Sequence, residues 1–271
     1  MSAESWLWML AGELRRQGLD PGQVATVVTD ARNHLRDSAE DPYQTFGAPE
    51  RYALAVAESL AGPASRGRPL GPVRLEARGI SKRYGRRHVL RDVNLTVRSG
   101  QIAAIVGANG SGKTTLLRIC AGLLSPDAGT VTVQGRISYS PQEGGTMPFL
   151  LPDEHFILVG AGEGLPRDRA KASGRAWAQT LGWDDVGATP ARLLSGGTRQ
   201  KLNLVLSTLA GADLLLLDEP YQGFDRGAYV NLWEQLWRLR DEGAAIVVVT
   251  HLLNQLDQVD HVLDLTEVAG G

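Results

Sequence analysis

Two stretches of this chain carry residue types suited to phosphate chemistry. The first is Gly107-Ala108-Asn109-Gly110-Ser111-Gly112-Lys113-Thr114. Glycines at this spacing let the backbone curl closely enough for its N–H groups to point inward at an anion, at the start of a helix. Lys113 adds a fixed positive charge for β- and γ-phosphates, the Thr114 hydroxyl is a ligand for Mg²⁺, and Thr115 prolongs the binding stretch. An apolar run at 102–106 precedes the loop and a helical run at 115–121 follows it, which is the context the pattern needs. The second stretch is Leu214-Leu215-Leu216-Leu217-Asp218-Glu219, an apolar run that ends in two carboxylates. Asp218 suits holding Mg²⁺, directly or through water, and Glu219 suits polarising an attacking water.

A third stretch, Leu194-Ser195-Gly196-Gly197-Thr198-Arg199-Gln200, opens a helical run at 198–209 and reads as a second anion-receptive helix start. These residues resemble the signature motif of ABC ATPases, and the resemblance covers residues 73 to 268. It implies that Ser195, Gly196, Gly197 and Gln200 of one protomer close over the γ-phosphate held by another. It implies further that Tyr84, on the segment after the first strand, stacks on adenine. Gln142, in Ser140-Pro141-Gln142-Glu143, then reaches the Mg²⁺ and the water. Gly223-Phe224-Asp225 resembles the D-loop, with Phe224 where leucine is more usual, and His251 matches the switch histidine at the γ-phosphate. The catalytic set implied is Glu219, His251 and Gln142, the metal set is Thr114, Gln142 and Asp218, and the cofactors are ATP and Mg²⁺. His34, His88, His155 and His261 fall on no motif and are read as ordinary surface or core residues.

The resemblance also implies partners: a second nucleotide-binding domain in a head-to-tail dimer, and a separate integral-membrane permease. That places the chain peripherally on the cytoplasmic face of the membrane. The short tail after His251 is similar to export-type motors. The alternative is a soluble ABC ATPase acting on a macromolecular partner. Against it stand the missing coiled coil between the phosphate loop and the signature, and the single nucleotide motif set.

The elements that must position these residues divide the chain. Short β-branched runs at 93–97, 102–106, 130–133, 214–217 and 246–249 alternate in part with helical stretches, so residues 73–271 read as an α/β domain. Its mostly parallel core sheet is joined by an antiparallel β-portion and a helical subdomain, the P-loop NTPase fold of the ABC type. Residues 1–62 read as a small all-α domain with apolar stripes at Trp6, Leu7, Leu10, Leu14, at Val24, Val27, Val28, Ala31, Leu35, and at Tyr52, Ala53, Val56, Ala57, Leu60. This segment resembles the helical HAAS-type domain of some bacterial membrane and signalling proteins, with Trp6 and Trp8 read as core anchors, the alternative being an amphipathic contact with a bilayer or permease. Residues 63–72, rich in glycine and proline, read as a linker. The apolar residues Met147, Phe149, Leu150 and Leu151 sit in a glycine- and proline-bearing loop after Gln142, a composition that suits an interface or packing under the helical subdomain, and the family resemblance implies a permease docking site there.

Across 271 residues, 43% are hydrophobic and the formal net charge is −2, which argues against a strongly basic nucleic-acid binder or a polybasic membrane clamp. One cysteine, Cys120, rules out an intramolecular disulfide and fits a reducing compartment. No stretch approaches the ~20 apolar residues needed to span a bilayer.

Overall fold

The computed structural model describes residues 3–17, 19, 21–38, 41–60, 71–250 and 259–265. The chain divides into two compact units, Met1–Arg68 and Pro69–Gly271.

The first unit holds α1 (Ala3–Arg16), α2 (Pro21–Ser38), the short α3 (Pro42–Thr45) and α4 (Pro49–Leu60). Its apolar stripes meet as the helical spacing requires: Trp6, Leu7, Leu10 and Leu14 bury against Val24, Ala31, Leu35 and Ala53. Trp6 stacks on Phe46 at 5.2 Å and donates its indole N–H to the Gly47 carbonyl at 2.9 Å. Asp41 starts α3 by accepting from the Tyr43 N–H. The two tryptophans part company. Trp6 is fully buried, whereas Trp8 is 80% exposed, so the expectation of two core anchors holds for one only. Two positions along the helix, about 200° of rotation, separate the core face from the outer one.

The second unit is built on two sheets. Strands β1 (Val73–Tyr84), β2 (Arg87–Arg98) and β4 (Ala128–Val133) form an antiparallel sheet in the order β2-β1-β4. Strands β3 (Ile102–Val106), β5 (Ile137–Ser140), β6 (Leu214–Asp218), β7 (Ala245–Val249) and β8 (His261–Asp264) form a parallel sheet in the order β5-β6-β7-β3-β8. The near-continuous apolar runs of β3, β6 and β7 follow from burial on both faces. Ile102, Ala104, Leu215, Leu217, Ile246 and Val248 point into one core, and Ala103, Ile105, Leu214, Leu216, Ala245 and Val247 into the other. Helix α5 (Lys113–Cys120) packs on the second core. Helices α6 (Pro152–Gly162), α7 (Arg167–Thr180), α8 (Gly196–Leu209) and α9 (Arg226–Asp241) follow, and side chains from all four enter the first core.

Candidate nucleotide site

The residues expected to do chemistry sit where parallel strands end. β3 runs into the phosphate loop, β6 ends at Asp218 and β7 leads to Thr250. Since β6, β7 and β3 are parallel neighbours, their carboxyl ends open on one edge of the sheet, where α/β sheets bind ligands. Tyr84, Asn109, Gly110, Gly112, Lys113, Thr114, Thr115, Gln142 and Glu219 line one cleft there.

Gly112 caps α5 with φ 103° and offers no side-chain acceptor to the first turn. A Cβ at this position would lie 2.8–2.9 Å from Val89 and Leu90, so only glycine fits. Lys113 is buried, and its Nζ donates to the carbonyls of Gly107 at 2.7 Å and Ala108 at 3.1 Å, which holds its charge within the loop. Ser111, which also belongs to the expected binding loop, has a buried hydroxyl with no partner among the described residues.

Thr114 Oγ1 donates to Asp218 Oδ1 at 3.2 Å, while the buried Asp218 Oδ2 has no partner among the described residues. Burial raises the Asp218 carboxyl above the ordinary carboxylate range, against the opposing pull of the Thr114 hydrogen bond. An orphaned oxygen on a buried acid is costly, and a divalent cation would satisfy it together with Thr114. Among the described residues no cluster of three or more His, Cys, Asp or Glu could hold a metal by itself. The donor set therefore fits a nucleotide-bound Mg²⁺ better than a resident metal.

Glu219 adopts φ 46°, a left-handed backbone that non-glycine residues take at a cost. Its N–H donates to the Val249 carbonyl at 3.2 Å, and its Oε2 accepts from Gln142 Nε2 at 3.0 Å. Gln142 thus reaches across from the end of β5 to the carboxylate after β6. Two residues on, the Tyr221 hydroxyl and Thr250 Oγ1 share a buried hydrogen bond of 2.8 Å.

The signature stretch lies elsewhere. Ser195 caps α8, its Oγ accepting from the Thr198 N–H at 3.1 Å, and Ser195 and Gly196 are exposed. None of Ser195, Gly196 or Gly197 lines the cleft that holds Lys113. Gln200 is buried within its own chain, 4% exposed, its Oε1 accepting from Asn203 Nδ2 at 3.4 Å. Gly197 approaches the turn after Glu219 so closely that a Cβ would meet the Gly223 carbonyl at 2.2 Å. Asp225 caps α9 by accepting from the Ala228 N–H at 2.8 Å, and this bond lowers its carboxyl pKa. His251 lies outside the described residues.

The loop after Gln142 is held from two sides. His155, buried on α6, accepts from the Met147 N–H and meets the Leu151 carbonyl with its other ring nitrogen. The Ala191 and Arg192 N–H groups, just before the signature, donate to the carbonyls of Leu150 and Pro148. Its apolar cluster splits: Phe149 is 75% and Met147 52% exposed, whereas Leu150 and Leu151 are half-buried. The Arg192 guanidinium lies 5.2 Å from the centre of the Phe149 ring.

Sequence reading passed over three features of this unit. β5 and β8 are four residues each and half-exposed, so they show no apolar run. β1 extends through Tyr84, which places that residue on the strand and not after it. Arg87 and Gln222 line the cleft without belonging to any motif. For Arg87 the available signal is its place two residues beyond Gly85, across a tight turn from Tyr84.

A P-loop ATPase is what these strand ends, loop and carboxylates define as a class. The ABC transporter family profile matches residues 90–222. The chain is 35% identical over 194 residues to a zinc import ATP-binding protein of Pseudomonas fluorescens, covering 69% of this chain and 72% of the relative. It is 31% identical over 197 residues to a Nod factor export ATP-binding protein of Ralstonia nicotianae, covering 68% and 61%. A solved ATP-binding subunit of an ABC transporter superposes with a TM-score of 0.64 at 26% identity, over 70% of this chain and 85% of that one. The chain spans between 28% and 74% of the length of the curated relatives it matches first. It belongs to the ABC transporter ATP-binding family, and it is an ATPase of that family.

Proposed function

We propose that this chain is the motor of an ABC transporter. In this reading two nucleotide-binding domains close head to tail on ATP and drive a separate integral-membrane permease from the cytoplasmic face. The observation that carries the reading is the separation of two anion-receptive helix starts: the cleft at α5 is lined by no signature residue, so a second protomer must bring Ser195–Gly197 to the nucleotide. Lys113 and the loop N–H groups bind the phosphates. Thr114, Asp218 and Gln142 hold Mg²⁺, which when bound draws charge from the β- and γ-phosphate oxygens. Glu219 accepts the proton of the attacking water, Gln142 fixes that carboxylate, and His251 contacts the γ-phosphate. Tyr84 stacks on adenine, and Asp225 lies at the dimer seam.

The test is Glu219→Gln. It removes the proton acceptor and keeps the shape, so hydrolysis falls at least about a hundredfold while an ATP-dependent dimer accumulates in sedimentation. A Glu219→Gln chain that hydrolyses like the parent sinks the assignment of the base.

The exposed Phe149 and Met147 are the permease contact, and residues 1–62 tune that contact without entering the chemistry. Residues 63–72 serve as the linker. Co-purification with the permease reads both: Phe149→Ala weakens recovery, while nucleotide affinity of the isolated chain stays unchanged with Phe149→Ala or without the helical unit. Among the described residues no helix is long and apolar enough to cross a membrane. Relatives named for import and for export match at similar identity. Export is the finer half of this proposal, tested by the direction of ATP-driven flux in vesicles carrying the assembled complex.

A further inference from the structure

β1 and β2 are joined by the two-residue turn Gly85-Arg86, with Gly85 at φ 60°. The turn sets Tyr84 directly opposite Arg87 in the strand register. Residues paired in this way project from the same face of the sheet. Tyr84 and Arg87 both line the nucleotide cleft. Arg87 Nη2 donates to the Gly110 carbonyl at 2.9 Å, so the side chain spans from the tyrosine to the phosphate loop. That bond uses one of the five guanidinium donors, and Arg87 forms no ion pair among the described residues. It is an exposed cation at the mouth of an anion-binding cleft.

We infer that Arg87 is a nucleotide-binding residue, placed to donate to the ribose–α-phosphate part of the ligand. The position follows from the line of residues. Tyr84 stands at the base end, Gly110 belongs to the loop that cradles the terminal phosphates, and Arg87 bridges them. What lies between base and β-phosphate is the ribose and the α-phosphate. A planar guanidinium suits that edge, where phosphate oxygens accept two parallel hydrogen bonds. Because ATP and ADP share this part, Arg87 adds affinity for both and does not discriminate between them. The inference rests on the assignment of Tyr84 and the phosphate loop to the nucleotide.

The test is calorimetric titration of the full chain with ADP and with a non-hydrolysable ATP analogue. Arg87→Ala weakens both by about tenfold, the loss of one charge-assisted contact, and Arg87→Lys recovers part of each. The thermal midpoint of the nucleotide-free protein is unchanged. Affinities within about twofold of the parent overturn the inference, as does a loss confined to the ATP analogue, which would put Arg87 at the γ-phosphate. A lowered midpoint without nucleotide also overturns it, leaving only a latch on Gly110. Lys113→Ala run alongside separates the levels. Parent-like binding by that variant removes the site assignment itself, whereas a large loss there beside an unaffected Arg87→Ala removes this inference alone.

Discussion

The two glycine-bearing helix starts of the second unit are built differently. At α5 the cap is Gly112, which offers no side chain to the first turn, and the next residue is a buried lysine. At α8 the cap is Ser195, which already satisfies the Thr198 N–H, and the following Gly196 faces solvent. The first start leaves its N–H groups to a ligand and carries its own countercharge. The second spends its cap side chain on one first-turn N–H and carries no buried lysine beside it. A sequence pattern of small residues before a helix covers both cases. The capping chemistry tells which one binds on its own.

Charge is the sharpest way to break this contrast. Lys113→Ala lowers nucleotide affinity of the isolated chain by about a hundredfold, since it removes two charge-assisted contacts. Ser195→Arg leaves that affinity within about twofold and lowers ATP hydrolysis at least about tenfold, because it obstructs a surface that the proposed dimer alone would use. Titration and steady-state hydrolysis on both variants decide it, and equal loss of affinity in the two would erase the distinction.

Packing gives the next effect. Gly197→Val drives a side chain into the Gly223 carbonyl and destabilises the fold by about 2–3 kcal/mol. A Cβ at Gly196 meets nothing within 4 Å, so Gly196→Ala stays within about 0.5 kcal/mol of the parent. Chemical denaturation of the pair measures the difference. A smaller loss than at Gly197 belongs to the cap itself: Ser195→Ala costs about 1 kcal/mol through the lost hydrogen bond to Thr198. A neutral Ser195→Ala would mean that the serine is kept for the partner nucleotide alone.

What the sequence revealed depended on burial. The runs of β3, β6 and β7 were plain because both of their faces are covered, which demands apolar residues at every position. β5 and β8, short and half-exposed, leave no such trace. β1 escaped as a full strand because register shifts at several points break its alternation. Lys113, Asp218 and Glu219 were legible because a rigid local pattern fixes each of them. For Gln200 the motif records order along the chain and not the face of the helix that carries the side chain. Gln200, Asn203 and Ser207, at i, i+3 and i+7, share one buried face of α8. Arg87 belongs to no motif, and its one trace in the sequence is the turn at Gly85 that pairs it with Tyr84 across the strands.

The hydrogen bonds from Ala191 and Arg192 to Leu150 and Pro148 join two loops main chain to main chain. A shift of the Phe149 loop is therefore coupled to the segment that leads to Ser195 through two main-chain hydrogen bonds, which do not depend on side-chain rotamers. The coupling runs in both directions, so in the proposed assembly a permease that shifts Phe149 also shifts the surface that Ser195 would offer to a second protomer.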